Sequence, residues 1–208
     1  MEKNKITVLG GGSFGTAIAN MIASNGHPVT LWMRDAENAR HCMDSGENTA
    51  YLPGYKLDPR LQVSADLEAA LDGASVVFFS IPSKAFRGVC QQVAGLIPAQ
   101  TIVVSTVKGI EGDSFKLMSE ILAEELNQPR IGVISGPNLA QEVAAREITA
   151  TVIASVDQAV CLTVQDVLQT AFFRVYANSD MYGVELAGAL KNIYAIAAGM
   201  AASLNVGQ

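Results

Sequence analysis

Three glycines and two lysines carry most of the chemistry that can be read from this chain. Gly10, Gly12 and Gly15 stand in the G-x-G-x-x-G spacing within Ile6-Thr7-Val8-Leu9-Gly10-Gly11-Gly12-Ser13-Phe14-Gly15-Thr16-Ala17. The apolar run before them reads as a buried strand, and Thr16 to Ala23 reads as a helix. In that setting Gly10 permits a tight turn, Gly12 lets the backbone approach phosphates, and Gly15 lets helix and strand pack closely. A helix N-terminus then offers free N–H groups and a positive dipole end to a pyrophosphate. Three glycines can also simply mark a loop; the flanking strand and helix favour a dinucleotide. Arg34 follows the second strand, about 20 residues on, where an acidic residue would grip the ribose 2′-OH of NAD. An Arg there suits a 2′-phosphate and favours NADPH, although a solvated surface Arg is the plain alternative and Asp35 keeps NAD open.

Lys108, before Gly109, follows another strand, where a cation suits a phosphate or carbonyl oxygen; a surface-loop lysine is the plainer reading. Ser135-Gly136-Pro137-Asn138 also follows a strand and opens a helix, with Asn138 near its cap. Its N–H groups could hold an anion, and capping alone would also account for Asn138. Lys191 and Asn192 lie in a helix otherwise made of Ala, Gly, Leu, Ile and Met. A lysine withdrawn from water loses its proton more readily and can serve as an acid–base group. A snorkelling side chain is the alternative.

The elements that must position these residues alternate. Strands are expected at Ile6–Leu9, Val29–Met33, Val76–Ile81, Thr101–Thr106, Ile131–Ser135, Thr149–Ala154 and Phe172–Tyr176. Between them, helices are expected at 36–45, 65–71, 84–94, 115–126, 138–145 and 158–170, with Gly46 to Leu61 as a long irregular excursion. This pattern predicts an α/β, Rossmann-like fold, largely parallel, with helices on both faces. Residues 1–179 form the dinucleotide-binding domain. Residues 180–208 are expected to be the buried first helix of an all-α second domain, apparently truncated.

Composition narrows the classes. Of 208 residues, 50% are hydrophobic and 16% charged, which suits a core-rich globular protein. The net charge of -6 argues against a nucleic-acid binder, which needs a basic face. Two histidines exclude a multi-His metal site and make a His-based triad an unsuitable reading; His27 is expected to be a polar turn residue. Cys42, Cys90 and Cys161 form no metal or disulfide pattern and fit a reducing, cytoplasmic setting, as core or semi-exposed residues. Met1 to Lys5 lead straight into the first strand, leaving no room for a signal peptide. Glu185, Lys191 and Asn192 argue against a membrane span in the last helix. Oligomeric state is left open, a homodimer included.

Together these motifs resemble the NAD(P)-dependent glycerol-3-phosphate dehydrogenases of bacterial type. The likeness rests on the glycine run, Asn48-Thr49-Ala50-Tyr51-Leu52-Pro53, Thr106-Val107-Lys108-Gly109-Ile110-Glu111, Ser135-Gly136-Pro137-Asn138-Leu139-Ala140-Gln141-Glu142-Val143, and Glu185-Leu186-Ala187-Gly188-Ala189-Leu190-Lys191-Asn192. It implies interconversion of dihydroxyacetone phosphate and sn-glycerol 3-phosphate, a phospholipid precursor, with Lys191 as proton donor or acceptor. The resemblance makes Lys108 a second catalytic lysine contacting substrate and cofactor. Gly136, Asn138, Lys191 and Asn192 fall on the substrate side. Ser13, Phe14, Arg34, Tyr51 and Ala140 join the glycines on the cofactor side. Family members are longer, and their second domain adds an aspartate and an Arg-Asn pair for the glycerol phosphate. None follows Asn192, so either the chain is a fragment or its substrate site is completed elsewhere. A non-catalytic nucleotide-binding fragment and a related hydroxy-acid dehydrogenase are the alternatives.

Overall fold

The structure is a computed structural model that describes residues 4–126 and 130–206; residues 1–3, 127–129 and 207–208 lie outside the described residues. The elements run β1 (Ile6–Leu9), α1 (Ser13–Ser24), β2 (Val29–Trp32), α2 (Ala36–Ser45), β3 (Leu61–Ser64), α3 (Leu67–Leu71), β4 (Val76–Phe79) and α4 (Ser83–Val93). They continue with β5 (Ile102–Ser105), α5 (Met118–Leu126), β6 (Ile131–Ser135), α6 (Ala140–Ala144), β7 (Thr149–Ala154), α7 (Gln158–Leu168), β8 (Phe173–Asn178) and α8 (Met181–Ser203).

The strands form one sheet in the order β3-β2-β1-β4-β5-β6-β7-β8. All pairs are parallel except β6 with β7. The order reverses between β1 and β4, the switch point where open α/β sheets bind ligands. Both faces are covered, so the central strands are apolar throughout and their alternation sorts residues between two cores. Ile6, Val8, Val76 and Phe78 pack with α1, α2 and α7 on one face. Leu9, Val77, Phe79 and Val103 pack with α3, α4 and α5 on the other. The expected Rossmann-like architecture is therefore the observed one.

Several boundaries differ for identifiable reasons. β3 was not expected: Leu61-Gln62-Val63-Ser64 is an edge strand on which only Val63 is buried. The excursion before it is more ordered than its Pro and Gly content suggests, with a bridge between Glu47 and Lys56 and an ion pair of 3.3 Å between the same residues. α5 starts at Met118 because Phe115 takes φ 57°, which no right-handed helix accommodates. His27 lies in the turn after α1, as expected, and is buried there. All three cysteines are free and buried. No helix among the described residues is long and apolar enough to cross a membrane.

The largest departure is α8. Its N-terminal half is docked, with Glu185 buried, but residues 191–200 are all exposed. The small residues that suggested a buried helix do not bring it into the sheet's own core.

Candidate functional site

β1 runs directly into the glycine turn. Gly10 has φ +119°, and a Cβ there would meet the Ser80 carbonyl oxygen at 2.3 Å, so only glycine fits. Gly15 lies in the first turn of α1, where a Cβ would sit 2.0 Å from the Gly10 oxygen. Gly12 differs: a Cβ there would enter open space. It is the N-cap of α1, and no side chain caps that end. The first-turn N–H groups of α1 thus lack an acceptor within the helix and face an open approach, as an anion site requires.

On one side of the turn, a cleft of about 290 Å³ is lined by Gly10 to Gly12, Arg34, Asp35, Asn38, Tyr51 and Ser80 to Pro82. Asp35 is committed elsewhere: its Oδ1 accepts from Glu37 N at 2.9 Å and Asn38 N at 3.0 Å, capping α2. Arg34 beside it is exposed. Tyr51 is held to the turn through its backbone, since Ser13 Oγ donates to the Tyr51 carbonyl at 2.5 Å.

On the other side, a cleft of about 340 Å³ is lined by Ser13, Phe14, Ser80, Thr106, Lys108, Gly136, Asn138 and Ala140. Lys108 Nζ donates to the Gly136 carbonyl at 2.9 Å. Burial, then the nearby Lys191 charge, lowers the Lys108 pKa below that of an ordinary lysine. Asn138 is not the helix cap expected from the sequence. Leu139 occupies that position without a side-chain bond, while Asn138 Nδ2 donates to the Ala150 carbonyl at 2.7 Å and ties the turn to β7. Ser80 lines both clefts, and its hydroxyl lies 2.8 Å from that of Thr106.

α8 brings the second lysine. Gly188 packs so closely on β6 that a Cβ would approach Ser135 Oγ to 2.3 Å. Lys191 is three residues further along, hence on the same side of the helix. It therefore lies on the side of α8 that meets Ser135, near enough to Lys108 for its charge to act there. Lys191 and Asn192 are both exposed, which fits the snorkelling alternative and not the desolvated one.

Residues 5–161 match the family model described as the NAD-dependent glycerol-3-phosphate dehydrogenase N-terminus. The chain belongs to that family. Residues 180–208 match the family's C-terminal model. A glycerol-3-phosphate dehydrogenase [NAD(P)+] of Teredinibacter turnerae is 56% identical over 203 residues, 98% of this chain and 60% of the relative. One from Ectopseudomonas mendocina is 56% identical over 207 residues, covering 100% and 61%. The crystal structure of glycerol-3-phosphate dehydrogenase from Coxiella burnetii superposes with a TM-score of 0.91 at 40% identity, covering 99% of this chain and 63% of that one. The chain thus spans about three fifths of the length of these relatives.

Against this family frame, three supporting groups carried no role in the sequence reading. Asn48 is fully buried beneath the glycine turn. Arg87 on α4 makes a two-pronged ion pair with Glu111, at 2.8 and 2.7 Å, and also reaches Glu124 and Glu125 on α5. Arg87, then Ser114, hold the Glu111 carboxyl down to about 2. This cluster anchors the segment that begins at Lys108 and Gly109. Glu185 accepts from Ser119 N at 3.0 Å and Ser119 Oγ at 2.5 Å, so α8 caps the start of α5. Only tertiary structure pairs these groups; the one sequence signal was a charged residue, Glu185, inside an apolar helix.

Proposed function

We propose that the chain carries the cofactor site and the lysine pair of an NAD(P)H-dependent reduction of dihydroxyacetone phosphate to sn-glycerol 3-phosphate. The observation that supports it most is a pair of clefts that meet at Ser80, Ile81 and Pro82. One holds the uncapped glycine turn, and the other holds Lys108, which feels the charge of Lys191. The open space at Gly12 and the unpaired first-turn N–H groups suit a dinucleotide pyrophosphate. With Asp35 committed to capping α2, Arg34 is the group left to meet a ribose 2′-substituent, which favours NADPH over NADH.

When bound, the nicotinamide supplies a hydride to the ketone carbon. The chain's own groups handle charge and protons. Lys191 donates a proton to the carbonyl oxygen as it becomes an alkoxide, and regains one from solvent. Lys108, already aimed at the Gly136 carbonyl, places positive charge where the carbonyl or phosphate oxygens lie. Gly136, Asn138 and Asn192 shape the substrate side; Ser13, Phe14, Tyr51 and Ala140 shape the cofactor side. Residues 1–179 form the dinucleotide-binding domain, and residues 180–208 begin the substrate domain. A cytoplasmic setting suits the three free, buried cysteines.

In a chain carried to the length of its relatives, Lys191→Met should lower turnover about 10²- to 10⁴-fold, the usual contribution of a positioned acid, while NADPH still binds. Near-normal turnover would sink the role. Comparing ketone phosphates with hydroxy acids as substrates in the same assay separates this reaction from that of a hydroxy-acid dehydrogenase.

A further inference from the structure

Asn48 lies on the excursion between α2 and β3, far in sequence from the glycine turn, yet it is completely buried against that turn. Its Nδ2 donates to the Gly11 carbonyl at 2.8 Å and to Thr16 Oγ1 at 2.8 Å. Thr16 Oγ1 reaches the same carbonyl at a longer 3.3 Å. The Asn48 Oδ1 atom is buried with no hydrogen-bond partner among the described residues. Leaving an amide oxygen unpaired is unfavourable, so the position is poorly explained as a stabilising contact alone. An apolar side chain of similar volume would avoid that cost but could not donate to Gly11.

Peptide geometry supplies the reason for an amide here. The Gly11–Gly12 peptide is planar and trans, so its C=O and N–H point in opposite directions. Asn48 holds the Gly11 carbonyl toward the protein interior. The Gly12 N–H is thereby turned away from the interior, at a residue where an added Cβ would meet only open space. A rotated peptide would instead present a carbonyl oxygen to an incoming phosphate. We propose that Asn48 is a positioning residue for the cofactor: it fixes the Gly11–Gly12 peptide with its N–H toward the pyrophosphate. This inference rests on the dinucleotide site proposed above. It assigns a function to a residue that does not line either cleft.

A second tether on the same excursion provides the control. Asn20 on α1 donates from Nδ2 to the Lys56 carbonyl at 3.1 Å and accepts from Asp58 N at 2.5 Å. It holds the excursion to α1 without touching the glycine turn.

The experiment measures dissociation constants for NADPH and NADH by nicotinamide fluorescence, with kcat at saturating cofactor and the thermal midpoint of the free protein. The subjects are the wild type, Asn48→Ala and Asn20→Ala, each in a chain carried to the length of its relatives. Asn48→Ala should raise the dissociation constant of the preferred cofactor at least tenfold and leave kcat at saturation within about threefold. Asn20→Ala should lower the thermal midpoint while changing cofactor affinity less than twofold. Unchanged affinity in Asn48→Ala overturns the proposal. Equal losses of affinity in both variants, tracking their loss of stability, also overturn it by making Asn48 a tether only. Should Asn48→Ala not fold, Asn48→Ser carries the same comparison. A wild type that binds neither nucleotide removes the dinucleotide site itself, an outcome distinct from failure of the Asn48 role.

Discussion

Lys108 and Lys191 bring like charges to one end of the cleft, and burial adds to the penalty on the Lys108 ammonium. Both effects disfavour the charged form, so the pKa of folded Lys108 lies below its ordinary value. This destabilises the fold most at pH below the folded pKa, where Lys108 is charged in both states. The penalty fades as pH rises through the folded pKa toward the unfolded value. Lys191→Met removes one of the two causes. The Lys108 pKa should then rise, as measured by ¹³C NMR of the lysine ε-carbons, and the alkaline shoulder of the stability curve should weaken. An unchanged Lys108 titration would show that the lysines are not coupled. At this scale the sequence was most informative where a residue type is rare in its context: glycines in a strand-to-helix turn, and a lysine after a buried strand. It misled where burial or capping depends on distant partners. The last helix looks buried along its length but exposes residues 191–200, and Asn138 looks like a cap but bonds to Ala150.

Elements built from continuous apolar runs were legible because both of their faces are covered. β1, β4, β5 and β6 are of this kind. β3 was hidden because an edge strand that buries one residue has almost no periodic signal. The junction of α8 with α5 was equally hidden, since it depends on Glu185 meeting Ser119 across 66 residues of chain. Burial raises the Glu185 pKa, and the Ser119 hydrogen bonds only partly oppose that. A raised carboxyl pKa means that the charged form is penalised in the fold. The penalty is absent below the unfolded pKa and complete above the folded one, so stability from this site falls as pH rises between them. Glu185→Gln keeps an acceptor for Ser119 N, lets the Ser119 hydroxyl accept instead of donate, and removes the buried charge. It should abolish that pH dependence with little loss of docking. Glu185→Ala strips both contacts and should cost about 1–3 kcal/mol, the penalty for unpaired buried donors. Urea unfolding at pH 4.5 and pH 7.5 reads both effects. An Ala variant as stable as wild type would show that α8 docks through Gly188 packing alone.

For the molecule as a whole, the sheet and its two cores account for residues up to β8, whereas the second half of α8 projects from them. Ile193, Tyr194, Ile196 and Met200 are each more than 60% exposed. A 23-residue helix can persist when one end is fixed, but an uncovered helical segment in water is close to marginal. Gly199 weakens it further. The molecule should therefore show a steep gradient of local stability. Amide exchange in β1 and β4 should require opening close to global unfolding, while amides at 191–203 should exchange through local fraying that costs only about 0–1 kcal/mol. Hydrogen-exchange mass spectrometry of the 208-residue chain at two protein concentrations measures that gradient. Slow exchange at 191–203 that is independent of concentration would contradict the picture of an uncovered helix. Protection that grows with concentration would show a second copy covering this face, the homodimer that the sequence left open. In either case Lys191 is only as well placed as the helix carrying it. Conditions that protect 191–203 should therefore also sharpen the coupling between Lys191 and Lys108, and the ε-carbon titration of Lys108 then provides an independent reading of the same event.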